Sequence, residues 1–238
     1  MAFYAKPSGG YAVDSAEWTN NIITVYNYFN AEGYTLEAVS GMLGNMFKES
    51  GLNPWRWQGN TVNYNNGYGL YQFTPAQDYF DDCSDVPGFA PNTSTSTTVP
   101  GASPDDGNAQ MYVFNNDTLG KWYSGLWRSY WDSSINPVTY TMYQNIKLIY
   151  GNNISMSEFK SMTDLTYATL TFLGCYEGPH DYDPNHPSWY QTIDDNFDDR
   201  YNYALHIYDV LGGITPHSDT LLVLKVLDTQ KKRKFQNI

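Results

Sequence analysis

The chain has 238 residues, 25 acidic against 13 basic side chains for a net charge of −12, and 17 % aromatic residues with Tyr alone numbering 22. That length fits one large domain or a domain with an appendage. The acidic balance argues against nucleic acid or an anionic membrane as a partner, because phosphate recognition needs a basic footprint, and no run approaches transmembrane length.

Asp14-Ser15-Ala16-Glu17 reads as a capping box that opens a helix with Trp18, Ile22, Val25 and Phe29 on its apolar face, ended by Gly33. Thr35 caps a second helix, in which Leu36, Val39, Met42 or Leu43, and Met46 recur at helical spacing. Glu49 follows at the edge of that stripe. Gly51 offers a left-handed helix end and Pro54 prevents continuation. Gly41 and Gly44 lower helix propensity, which predicts another backbone packed closely there. A carboxyl held against apolar walls has its charged form destabilised, and a carboxyl that keeps its proton suits general acid catalysis of glycosidic bond cleavage.

Residues 52–66 form a polar, Asn-rich loop whose Trp55 and Trp57 either cover the core or line a cleft rim. Residues 67–73 alternate and suit a strand of a small β-hairpin, and Thr74-Pro75 restarts a helix with Pro at its first position. Residues 84–107, rich in Thr, Ser, Pro and Gly, read as an inserted excursion that is dispensable for folding. Helical signals return from Asn108. Asn136-Pro137 opens a helix through Tyr150, Ser155 and Glu158 make a capping box, and Leu165, Ala168, Thr169 and Phe172 mark a helix running towards Tyr176. A Pro-rich loop spans 180–188. A long helix over 190–211 points Phe197, Tyr201, Ala204, Leu205 and Tyr208 inward. The pattern is mainly α with a small β-hairpin, over residues 1–212; residues 213–238 read as a linker or the start of a further module.

Two cysteines, Cys83 and Cys175, define neither a disulfide framework nor a metal site, and their pairing stays open. His180, Asp181, Asp183 and His186, and then Asp194, Asp195, Asp198 and Asp199, match no zinc or calcium spacing. They read as a surface loop and the solvated start of a helix, so no metal and no cofactor is expected.

The stretch Gly44-Asn45-Met46-Phe47-Lys48-Glu49-Ser50-Gly51-Leu52-Asn53-Pro54, followed by Gly67-Tyr68-Gly69-Leu70-Tyr71-Gln72-Phe73-Thr74-Pro75, resembles the signature of the phage tail lysozyme family within the lysozyme and lytic transglycosylase superfamily. Cys175-Tyr176-Glu177-Gly178-Pro179 is similar to the Tyr-Asn-x-Gly-Pro motif of lytic transglycosylases, with Glu177 where those enzymes carry Asn. Together the motifs frame residues 10–212. The resemblance implies a lysozyme-like α+β fold and a muramidase acting on the β-1,4 MurNAc-GlcNAc bonds of bacterial peptidoglycan, with Glu49 as general acid/base. It further implies a place in a phage tail, with other tail proteins as partners and a role in cell entry. No basic segment followed by an apolar one opens the chain, which fits travel to the wall inside a virion. Beside the cleft, Gln72, Thr74 and Tyr68 are the expected substrate-binding groups, and Tyr176 either orients Glu49 or packs in the core.

No Asp or Glu lies between Glu49 and Asp78. Two-carboxylate glycosidases need a second carboxyl across the scissile bond, so the local sequence favours a single-acid mechanism. Glu49 would protonate the leaving oxygen and then deprotonate either the sugar's C6 hydroxyl, giving an anhydro end, or a water. Asp78, Asp81, Asp82 or Glu177 could still fold into the cleft, which keeps hydrolysis open. A non-catalytic glycan-binding or structural tail component is the competing reading, against which the intact Glu49 speaks.

Overall fold

In a computed structural model, residues 2–125, 136–177 and 193–212 are described. They contain helices α1 (Ala16–Ala31), α2 (Leu36–Ser50), α3 (Ala76–Asp82), α4 (Asp106–Asn115), α5 (Pro137–Tyr150), α6 (Met156–Lys160), α7 (Leu165–Phe172) and α8 (Ile193–Gly212). The protein is organised around α2. Thr35 opens it by accepting from the Ala38 amide at 3.1 Å, and its own amide donates to Lys160 at the end of α6. Every residue from Ala38 to Met46 is buried, so the helix is enclosed on all sides rather than along the single stripe that its spacing predicts. Helices α1, α7 and α8 enclose it.

Two glycines make that enclosure possible. A Cβ at Gly41 would stand 2.7 Å from the Thr169 amide of α7, and one at Gly44 would meet Ala204 Cβ of α8 at 2.7 Å. Both helices therefore pack backbone to backbone on α2, as the glycine spacing predicts. Asn45 bridges this contact: its Nδ2 donates to Gly41 O at 2.8 Å and to Thr169 O at 3.1 Å.

Several local expectations are corrected. Ser15 caps α1 by accepting from Trp18, but Trp18 occupies the third helical position, so Glu17 cannot complete a capping box. Ser155 and Glu158 do form one. Among the described residues there is no β-hairpin. Residues 67–73 make a tight turn with isolated antiparallel bridges at Trp57–Tyr68 and Tyr68–Phe73, because Gly69 and Gln72 take left-handed conformations that end pairing after one step. Pro75 stands just before α3 and not at its first residue. On α8, Phe197, Tyr201, Ala204 and Ile207 face the core, while Leu205 and Tyr208 are half-buried. Trp55 and Trp57 are both core residues. Cys83 and Cys175 are buried and are not joined in a disulfide.

The stretch 84–107 differs most from its reading. Its few apolar groups suggest an excursion, yet it is docked by polar anchors. Trp57 Nε1 donates to Asn92 O at 3.0 Å, Trp55 Nε1 to Ser103 O at 3.2 Å, and the fully buried Asn92 ties Ser94, Thr97 and Val99 to itself. The central anchor is Asp106, fully buried at the start of α4. Its Oδ1 accepts from the Tyr79 hydroxyl (2.8 Å) and the Ala90 amide (3.1 Å), and its Oδ2 from the Tyr68 hydroxyl (3.1 Å) and Gln110 Nε2 (2.6 Å). Gln110 in turn accepts from the Leu70 amide and donates to Pro54 O. One carboxylate and one amide thus lock the loop, the 67–73 turn and the segment after α2 to a single helix.

Burial pushes the Asp106 carboxyl up to about 6, with the four donors opposing. Since the folded value lies above the unfolded one near 3.8, the native state binds the extra proton, and this contribution to stability is present below about 4 and lost as pH rises through about 6. Asp106→Asn places an NH2 against these donors and should lower unfolding free energy by about 2–4 kcal/mol. In denaturant titrations the gap between wild type and variant should widen as pH falls from neutrality to about 4.5; a constant gap would contradict the assignment. Replacing residues 84–104 by a short Gly-Ser linker should lower the melting temperature by more than about 5 °C, the opposite of what its composition suggests.

Candidate active site

Glu49 occupies the last turn of α2, where the helix stops for identifiable reasons. Gly51 takes the left-handed conformation (φ 58°) and its amide returns to Phe47 O. Ser50, buried, bonds Met46 O through its hydroxyl and accepts from the Leu52 amide. The segment before α1 wraps this end: Tyr11 donates to Gly51 O at 2.9 Å, and Asn53 Nδ2 bonds Lys6 O and Gly9 O. The helix end is therefore rigid, and Glu49 projects from it with its side chain 28 % exposed.

The neighbours come from α8 and α7. The crossing of α8 at Gly44 carries Arg200 beneath the end of α2, with its side chain only 4 % exposed. Arg200 Nη2 donates to Glu49 Oε1 in an ion pair, and Nη1 donates to Asn45 O at 3.2 Å. Glu49 Oε2 has no partner among the described residues. Lys48 and Asp199 pair alongside, at the surface. From the other side, α7 continues into a π-helical turn over Leu173–Glu177. That turn delivers the Tyr176 ring against Tyr71, Phe114 and Phe172 at 5.8, 5.0 and 5.1 Å, and it delivers Glu177. The Oε1 of Glu177 is buried with no hydrogen-bond partner among the described residues. Burial first, and the charge of Glu49 second, push the Glu177 carboxyl well above the ordinary range, with Arg200 opposing.

The apolar wall expected beside Glu49 is thus a buried guanidinium, and the carboxyl confronted by burial is Glu177. Of the acids that could have joined Glu49, Glu177 is the one whose carboxyl is raised in part by the Glu49 charge. Asp78 pairs instead with Lys121 at 2.8 Å, Asp81 accepts from Gln77, and Asp82 is exposed.

The other expected site residues are placed as follows. Tyr176, next to Glu177 in the chain, packs its ring among Tyr71, Phe114 and Phe172. Tyr68 is fully buried, its hydroxyl donating to Asp106 and accepting from the Asn92 amide. Gln72 Nε2 donates to Arg56 O and Gly69 O, which braces the turn from within. Thr74 is exposed, its hydroxyl donating to Gln72 O. Tyr71 links this turn to α2, its hydroxyl 3.8 Å from Met42 Sδ. The His180 cluster lies outside the described residues. Asp194 receives the Val138 and Thr139 amides and caps α5, and among the described residues no grouping of His, Cys, Asp and Glu could hold a metal.

Arg200 escaped the sequence reading although a signal exists. It stands three residues after Phe197 and four before Ala204, on the buried face of α8, where a cation demands an anionic partner. Its partner, an acid at the end of another apolar helix, is Glu49.

The chain is 28 % identical over 200 residues to Morphogenesis protein 1 of Bacillus phage B103, a match that covers 80 % of this chain and 43 % of that protein. The sequence profile of the family described as Phage tail lysozyme matches residues 20–211, from within α1 to the end of α8, and so takes in Glu49, Glu177 and Arg200. The chain belongs to the phage tail lysozyme family.

Proposed function

We propose that the chain cleaves the glycan strands of bacterial peptidoglycan at β-1,4 MurNAc-GlcNAc bonds, with Glu49 as general acid and base. The observation that carries this reading is the presentation of Glu49: a rigid helix end, one carboxyl oxygen fixed by a buried Arg200, and the other oxygen without a partner among the described residues at a partly open surface. A fixed carboxyl with one free oxygen can protonate a leaving glycosidic oxygen and then take a proton from the attacking C6 hydroxyl or water. The braced turn bearing Thr74 supplies substrate contact: Thr74 offers an exposed hydroxyl, Gln72 and Tyr68 hold the turn in shape, and Tyr176 packs on Tyr71 of the same turn.

The family and the phage morphogenesis relative support a virion component, and we place the activity in the tail, acting on the host wall during entry alongside other tail proteins. The chain spans less than half of that relative. The non-catalytic reading has one observation in its favour, since an acid already bound to a guanidinium is not free to act alone.

Glu49→Gln should reduce lysis of purified peptidoglycan by at least about 10²–10⁴-fold, the range credited to acid–base catalysis, while circular dichroism stays native. Mass spectrometry of wild-type products then separates outcomes: 1,6-anhydro ends mean C6-hydroxyl attack and reducing ends mean hydrolysis. Wild-type protein that co-sediments with peptidoglycan but releases no fragment would establish a binding module instead.

A further inference from the structure

Two cations converge beside the segment that follows Glu49. A Cβ at Gly9 would stand 3.8 Å from Arg56 Nη1 and 3.9 Å from Lys6 Nζ, so both charges border the space that this glycine leaves open. Both residues are half-buried. The chain carries 25 acidic side chains against 13 basic ones, yet among the described residues neither of these two cations has a carboxylate partner. The guanidinium of Arg56 donates to Asn60 Oδ1, a neutral acceptor that also receives the Gly9 amide at 2.9 Å. Lys6 Nζ lies 4.7 Å from the centre of the Tyr11 ring.

Their placement is fixed by the same bonds that fix the proposed site. Asn53, fully buried, follows Glu49 by one turn of chain and holds both backbones. Its side chain accepts from the Lys6 amide at 3.3 Å and donates to Lys6 O at 2.8 Å, and its carbonyl accepts from the Arg56 amide at 3.1 Å. Arg56 O accepts from the Gly69 amide at 2.8 Å and from Gln72 Nε2 at 3.1 Å, which ties it to the turn that leads to Thr74. Gly10 packs so closely on the end of α2 that a Cβ there would reach Gly51 Cα at 2.6 Å.

We propose that Lys6 and Arg56 form a subsite for a carboxylate of the peptide stems carried by the glycan strand. The inference rests on peptidoglycan being the substrate, as argued above. Two half-buried like charges repel, and an anion received by both removes that repulsion. Their distances from the Gly9 position let one carboxylate accept from both through charge-assisted bonds of about 2.7–2.9 Å. The guanidinium fork suits a planar carboxylate, and the ammonium adds a point charge. Sugar hydroxyls and acetamido groups are neutral, and a lactyl carboxyl that bears a stem is consumed as an amide. The negative charge of such a strand therefore lies on its peptides.

The test is calorimetric binding of soluble, phosphate-free peptidoglycan strands to full-length Glu49→Gln protein, which reads the subsite without cleavage. The strands are used with their amines acetylated, before and after conversion of their carboxylates to amides. The charged form should bind at least about tenfold more tightly than the amidated one. Adding Lys6→Gln and Arg56→Gln should abolish that preference and leave binding of the amidated form unchanged, while Arg56→Lys should keep most of it. Equal affinity for the two forms, or a preference that survives the double substitution, overturns the proposal. Should the double variant fail to fold, salt replaces it: between about 0.05 and 0.5 M the preference of Glu49→Gln protein should shrink, and a constant preference overturns the proposal. Equal binding of both forms leaves peptidoglycan as the substrate, whereas binding of neither removes that assignment and this subsite with it.

Discussion

The structure depends on one buried cation. Arg200 is nearly inaccessible, and a guanidinium taken out of water costs several kcal/mol unless its protons find acceptors. Its acceptors, Asn45 O and Glu49 Oε1, both belong to α2. The crossing of α8 on α2 is therefore specified twice: by shape at Gly44, where no side chain fits, and by charge at Glu49. Either alone would leave freedom to slide or rotate. Together they make the acid's position a property of the core packing and not of a loop. The ion pair is also mostly shielded, so solvent weakens it less than the Lys48–Asp199 pair at the surface beside it.

A second buried charge plays the corresponding role on the other side of α2. Asp106 gathers donors from α3, α4, the 67–73 turn and residue 90, none of which builds a sheet or a long helix of its own. The turn bearing Gln72 and Thr74 has too little regular hydrogen bonding to be rigid by itself. Its order comes from Tyr68 on Asp106, Leu70 on Gln110, and the Tyr71 ring stacked on Phe114 at 4.8 Å. Two polar centres therefore fix the two parts of the proposed site, one holding the acid and the other the turn that bears Thr74.

Much of this was legible in the residues. Periodicity and caps place α1, α2, α5 and α6, and the glycines of α2 foretell the close approach of α7 and α8. The motif around Glu49 picks out the catalytic candidate. What was not legible depends on partners distant in sequence. The 84–107 stretch looks unanchored because Asn92 and Asp106 are ordinary loop residues until Trp57, Tyr68 and Tyr79 surround them. Tyr68 reads as a cleft tyrosine for the same reason. The hairpin fails because a two-residue periodicity cannot reveal the left-handed backbone at Gln72, a residue type that rarely adopts it. The chemistry of Glu49 was read from its own helix, whereas its charge environment is set by α8, about 150 residues later.

The departure from the lytic transglycosylase motif takes on meaning in this light. Where those enzymes carry Asn after the Tyr, this chain carries Glu177. Burial favours the protonated form of Glu177, which offers an O–H donor and a carbonyl acceptor where an Asn amide offers two N–H donors and a carbonyl acceptor. With its proton held, Glu177 is thus close to a conservative replacement in polarity, despite the formal change in charge. The difference emerges only when the proton leaves: an amide cannot release one at any relevant pH, while an acid beside Glu49 and Arg200 can. The same position that would be purely a hydrogen-bonding site with Asn becomes, with Glu, a place where protonation and the state of Glu49 are linked.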